Sequence, residues 1–200
     1  NLIGSKIDLD NSLSFNVMAY NGVHSDYDLK EKGFLASVKH SSNRNSDFSI
    51  FVGQNSESEG LLRTSGKGAF GNFASDTFHM GTTFNRRLAN NVHLAGLFNY
   101  GLVSSKGDNA GFLTDISDLK TSQFNVGMVV SGLGKNSNLL SLNLSQPLRI
   151  ESGFTNLTIP GHLDSNGNVT HTTKRLSLEP SGRELNLDLG YEMKLRNGAF

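Results

Sequence analysis

The sequence predicts an all-β, antiparallel fold, and three observations support it. Apolar residues recur at every second position in segment after segment, which is the period of a strand. No comparable segment carries a sustained 3.6-residue stripe, and no run reaches the roughly 18 apolar residues of a membrane-crossing helix. Glycine is frequent at 22 and proline scarce at 3, so the chain turns easily but is seldom forced to break.

In order along the chain, Leu13, Phe15, Val17 and Ala19 alternate with Ser14, Asn16 and Met18. Phe34, Ala36 and Val38 follow, then Phe48, Ile50 and Val52. Phe78, Met80, Thr82 and Phe84 oppose His79, Gly81, Thr83 and Asn85. Val92, Leu94, Phe98, Tyr100 and Leu102 oppose His93, Ala95, Leu97, Asn99 and Gly101. Phe124, Val126, Met128 and Val130 continue the pattern. Next, Leu140, Leu142, Leu144 and Leu148 face away from Ser141, Asn143, Ser145, Pro147 and Arg149. The clearest alternation closes the series: Leu185, Leu187, Leu189, Tyr191, Met193 and Leu195 against Glu184, Asn186, Asp188, Gly190, Glu192 and Lys194. Strands are therefore expected near 2–9, 12–20, 33–40, 46–53, 76–87, 91–103, 119–131, 137–149 and 183–195, with another starting at Ala199.

The connections alternate too. Short turns at 10–11, 41–46, 88–91, 133–138 and 196–198 are interleaved with long polar segments at 21–32, 54–75 and 104–118. The stretch from about 150 to 182 completes the rhythm if it forms one long hairpin. Short turns on one side and long loops on the other are the asymmetry of an outer-membrane barrel; a β-sandwich has no reason to keep it. On that reading the Leu face of 138–149 meets lipid and its Ser/Asn face meets a polar lumen. Charges at Arg149, Glu184, Asp188, Glu192 and Lys194 then avoid hydrocarbon, where each would cost about 2–4 kcal/mol at the midplane. Asn143, Arg149, Glu184, Asn186, Asp188 and Glu192 are the expected pore-lining set. The alternative is a soluble extracellular β-sandwich for adhesion or carbohydrate binding, for which 0 Trp and 4 Tyr are poor stacking material.

Composition narrows the function classes. A formal net charge of +0 argues against nucleic-acid binding through phosphate neutralisation. Absence of cysteine excludes disulfide scaffolds and cysteine-ligated metal sites. Six histidines occur without carboxylates at ligand spacing; His79 and His93 share a parity on adjacent strands and are candidates to approach each other. The segment "TSGKGAFG" at 64–71 lacks phosphate-loop spacing and reads as an extracellular loop. "DSNG" at 164–167 lacks the later acidic positions of a calcium loop and reads as a turn on Asn166-Gly167. "ESEG" at 57–60 and "KGDN" at 106–109 read as solvated loop tips. The sequons at Asn143, Asn156 and Asn168 are what Asn/Ser/Thr-rich strands generate by chance. Nothing points to a catalytic residue, a metal or another cofactor.

At "LSQPLRIESG" and "IPGHLDSNGNVTHTTKRLSLEPSGRELNLDLGYEMKL", the sequence resembles the translocator domain of bacterial autotransporters. It is most similar to those that follow a subtilisin-like serine protease passenger. The likeness covers residues 139–195; over 1–138 the strand and loop rhythm alone supports it. The resemblance implies a twelve-stranded antiparallel transmembrane barrel with a helix through its pore. Residues 1–200 would then be one translocator domain, incomplete at both ends: the first strand and the last one to two strands would be missing. It also implies a monomer in the outer membrane of a Gram-negative bacterium with loops facing outward, whose partners are outer-membrane lipid, its own passenger and linker helix, and the barrel assembly machinery. No position matches the protease family's Gly-Thr-Ser nucleophile segment, so no catalytic residue is carried over.

Overall fold

A computed structural model describes residues 1–24, 29–42, 45–64, 68–107, 111–133 and 138–193. It is all-β and antiparallel. Twelve strands run in the order β1 (Leu2–Asp8), β2 (Leu13–His24), β3 (Leu29–Ser42), β4 (Ser46–Glu57), β5 (Phe73–Ala89), β6 (Val92–Gly107), β7 (Leu113–Thr114), β8 (Leu119–Leu133), β9 (Asn138–Ser152), β10 (Phe154–Leu163), β11 (Val169–Ser177) and β12 (Asn186–Glu192). Nine of them form one sheet, each strand beside its predecessor: β1-β2-β3-β4-β5-β6-β8-β9-β12. These correspond to the nine strands expected from the alternation. The sheet is open, with β1 and β12 at its two edges. β11, β10 and β7 make a separate three-stranded sheet. The strand expected at Ala199 lies outside the described residues, as do Lys194, Leu195, the turn at 196–198 and parts of the turns at 41–46 and 133–138.

Cross-strand register shows why the alternation is so regular. Paired residues share a face, so one rung crosses all nine strands on one side of the sheet: Asp8, Ser14, Lys39, Ser49, Thr83, Leu97, Asn125, Ser145, Asn186. Only Leu97 in it is apolar. The neighbouring rung on the other side reads Ile7, Phe15, Val38, Ile50, Thr82, Phe98, Phe124 and ends at Gln146. At this level of the sheet one face is mainly polar and the other mainly apolar.

The polar face is the inside of a curl. A cavity of about 260 Å³ touches Tyr20 on β2, Glu31 on β3, Asn55 on β4, His79 on β5, Asn99 on β6, Gln123 on β8 and Leu148 on β9. Laid flat, those seven consecutive strands would span about 29 Å at about 4.8 Å each. One small cavity reaches them all because the sheet bends round it. Glycines make that inner face tight. A Cβ on Gly81 would stand 2.4 Å from the Phe51 ring and 2.2 Å from the Phe98 carbonyl, and one on Gly53 would stand 2.4 Å from the His79 ring. Each ring lies over the glycine of the neighbouring strand, and Phe51 and His79 meet edge to face with centroids 6.2 Å apart.

Little apolar surface is buried in return. Among the described residues, only Phe73, Val103 and Leu119 are buried hydrophobic side chains, clustered on the concave side where β5, β6 and β8 meet the long connections. Large apolar side chains stand exposed instead on the convex face of every strand of the main sheet, from Ile3 through Phe48 (46%) and Ile50 (53%) to Leu189 (73%). The total accessible surface is 13406 Å². A compact soluble monomer of 21.7 kDa would expose about 9,200 Å².

Three expectations about the connections change. The polar segment 21–32 is mostly strand, because β2 runs on to His24 and β3 starts at Leu29. Within the stretch 150–182, β10 and β11 pair as a hairpin in the separate sheet, with Gly153 lying between them and β9. "ESEG" is no solvated tip: Glu57 is 4% exposed and Gly60 is buried, because the segment after β4 folds inward. The "DSNG" turn closes the β10–β11 hairpin. There Asp164 Oδ1 accepts the amides of Asn166 and Asn168, each at 2.8 Å, and Gly167 takes φ +80°. Asp10 does the same between β1 and β2, accepting the Ser12 and Leu13 amides at 2.6 and 2.7 Å. Those donors hold the Asp10 and Asp164 carboxyls below the usual aspartate value.

Candidate functional site

The concave face is where polar side chains converge. Asn143, Asn186, Asp188 and Glu192 all sit on it by register: Asn143 pairs with Asp188, Ser145 with Asn186, and Leu139 with Glu192. Asn143 Nδ2 donates to Asp188 Oδ2 at 3.4 Å, and Asn186 Nδ2 to the Glu184 carboxylate at 3.1 Å. Register thereby brings four of the six residues expected to line a lumen to one side of β9 and β12, and the Asn186 amide ties Glu184, which precedes β12, to that set.

Arg149 is the exception, and a β-bulge explains it. Between β8 and β9 the register runs from Phe124–Gln146 to Ser122–Arg149, so β9 holds one residue more than its partner. The inward and outward parities exchange there. Leu148, which alternation groups with Leu140, Leu142 and Leu144, instead lines the concave cavity, and Arg149 joins the convex row of Ser122. Its guanidinium is tied to Glu151 at 2.5 Å and to the carbonyls of Pro180 and Gly182 at 2.9 and 3.4 Å. Ser122, Gln146 and Arg183 complete this polar knot above the apolar rows.

The most enclosed charges lie elsewhere on the concave face. Glu31 and Glu57 are direct cross-strand partners and are 6% and 4% exposed. Like charges placed opposite each other are destabilising, and the segment that follows β4 supplies the counter-charge. It turns inward through Leu62 and Arg63, both in the left-handed region at φ 53° and 63°. A two-hydrogen-bond bridge between Leu61 and Thr64, 2.9 and 3.0 Å, pins the turn. Arg63 Nη2 then reaches Glu31 at 3.3 Å, while the Arg63 amide donates to Glu57 Oε2 at 2.9 Å. Tyr20 OH donates to Glu31 at 3.3 Å and Asn55 Nδ2 to Glu57 at 3.4 Å. The result narrows the concave space near the long-connection rim to an acceptor-rich opening with one guanidinium across it.

Comparison with protein-family models, with curated proteins and with solved structures gives no match for the chain.

The opening is lined mainly by polar and acidic side chains. His79 and His93 are not brought together: His79 pairs with Gly101 and His93 with Arg87, eight residues along the strand and about 26 Å away. Among the described residues no three His, Asp or Glu side chains stand close enough to hold a metal ion, and no helix is long and apolar enough to cross a membrane. Sequence reasoning missed Glu31, Glu57 and Arg63. A signal was available: the spacing that aligns Phe34, Ala36 and Val38 outward puts Glu31 inward, where only a countercharge makes it tolerable.

Proposed function

We propose that this chain forms the wall of an outer-membrane β-barrel translocator, which assists export of an N-terminal passenger and anchors it at the cell surface. The observation that carries the reading is the uncovered apolar convex face, continuous over nine strands and backed by a polar concave face. In water such a face would be covered by a second sheet or would aggregate. In hydrocarbon it is the wetted surface of a barrel, and the concave side becomes a lumen able to hold an extended or helical polar segment. The free edges of β1 and β12 must be paired, to each other or through further strands, because no water is present at that depth to satisfy their backbone groups. The Ser-Gln-Pro-Leu-Arg and Ser-Gly-Arg-Glu segments flanking the β10–β11 hairpin support the translocator assignment by resemblance. A serine protease is the passenger that this resemblance suggests.

The test is expression of the full-length protein in a Gram-negative host, with an epitope tag at its N-terminus. The expected result is outer-membrane protein that resists alkaline carbonate extraction, shifts in gel mobility on boiling and exposes the tag to antibody on intact cells. Release by carbonate would sink the membrane reading. Retention with the tag hidden would sink the export reading alone.

A further inference from the structure

The convex face carries a second feature that the translocator reading does not use: a groove of about 510 Å³ at the long-connection end of β2–β6. Among the described residues its convex-face lining is mainly polar and basic: Lys30, Lys32 and Lys106 surround Ser56 beside Ala74, and the one carboxylate among them on that face is Asp76. Glu31 and Glu57 border the groove, but their register turns their carboxyls to the concave side. Lys106 already holds Asp76 in an ion pair. Three ammonium groups therefore meet one carboxylate, and that carboxylate is engaged.

Position gives this charge its meaning. The rung through the groove is Asn21, Lys32, Ser56, Asp76, Ser104. The next convex rung is Ala19, Phe34, Gln54, Phe78, Leu102, with Phe34 and Phe78 exposed at 45% and 41%. Lys32 thus stands one rung, about 7 Å, and Lys30 and Lys106 two rungs, about 13 Å, above exposed aromatic and aliphatic side chains. An occupant matching both halves has an anionic head and apolar tails. We propose that this groove binds the phosphate of an anionic lipid, its acyl chains lying down over Phe34, Phe78 and Leu102. The inference rests on the membrane reading and adds a lipid preference to it. Lysines beside a phosphate headgroup act as mobile point charges, which suits a lipid that exchanges with the bilayer.

The experiment is native mass spectrometry of the full-length protein in a neutral detergent, titrated with phosphatidylglycerol or with phosphatidylcholine of the same chains. The expected result is retention of phosphatidylglycerol, with about tenfold weaker retention in Lys30→Gln/Lys32→Gln. Lys30→Arg/Lys32→Arg is expected to keep it, as is Lys174→Gln on β11, which shows that the loss is not misfolding. Equal retention of both lipids would overturn the headgroup site while leaving the membrane reading standing. Displacement of the bound lipid by millimolar inorganic phosphate would show a free-anion site and overturn the lipid assignment. Failure to retain either lipid, in protein that stays dispersed without detergent, would overturn both.

Discussion

Val126 and Asn125 are adjacent on β8, both exposed, and point to opposite faces: Val126 pairs with Gly96 and Leu144 on the convex side, Asn125 with Leu97 and Ser145 on the concave side. Replacing each by Arg separates lipid from water as the medium of the convex face. The apolar convex row of β8 runs from Phe124 to Val130, below the polar Ser122. At about 3.3 Å per residue that is roughly 20 Å along the strand, or about 15 Å of height at a tilt near 40°. Val126 then lies about 5 Å from one end of that row and about 10 Å from the other. A guanidinium at that depth costs about 2–4 kcal/mol, whereas the same group on a water-filled concave face costs close to nothing. If the convex face were in water, both substitutions would fall within about 0.5 kcal/mol of wild type, as exposed sites do. The assay is urea unfolding of the full-length protein in lipid vesicles, followed by far-UV circular dichroism because the chain has no Trp. Val126→Arg is expected to lose about 2–4 kcal/mol and Asn125→Arg less than about 0.5. Equal effects at the two sites would refute the reasoning.

Other substitutions test the inner face and the rims. Gly81→Ala drives a methyl against the Phe98 carbonyl, which cannot move aside without breaking the ladder, and is expected to cost about 1–3 kcal/mol in the same assay. Arg63→Ala removes the guanidinium that pairs with buried Glu31 beside Glu57, and limited proteolysis is expected to cut within 58–64 faster than in wild type. Asp164 has its carboxyl held below the aspartate value of 3.8 in the folded chain, so its support of the β10–β11 turn is fully present above that value and disappears as pH falls through the lower folded one. Hydrogen exchange at the Asn166 and Asn168 amides should therefore stay protected at pH 5 and lose its protection in strong acid, with Asp164→Asn removing the pH dependence.

Much of this architecture is written in local sequence because each strand has two faces of opposite chemistry. Where Phe48, Ile50 and Val52 must meet one medium and Ser49, Phe51 and Gly53 line another, the two-residue period survives any tertiary context, and all nine sheet strands follow from it. Strand length is less legible. Residues 21–24 and 29–32 carry no alternating apolar row, Val23 and Leu29 standing alone among polar neighbours and glycine, and are strand because β2 and β3 pair there. The bulge at Gln146–Arg149 is invisible for a different reason. It adds one residue without breaking the apolar pattern, so Leu148 and Arg149 exchange faces silently. Asn143, Glu184, Asn186, Asp188 and Glu192 were readable because uninterrupted alternation places them. Alternation also puts Glu31 inward, but its meeting with Glu57 and Arg63 was not readable, because it depends on a loop folding back across the sheet.

The central claim, that the convex face lies in lipid, is tested most directly on β9. These 200 residues have no cysteine, so with any cysteine elsewhere in the full-length protein replaced by serine, Leu142→Cys and Asn143→Cys each give a single site for a spin label on neighbouring residues of opposite faces. With the full-length protein in vesicles, the account predicts that the label at 142 collides with oxygen dissolved in hydrocarbon and is shielded from a water-soluble nickel chelate. The label at 143 should show the reverse. If nickel reaches the label at 142 as readily as the one at 143, the convex face is in water and the membrane account is wrong.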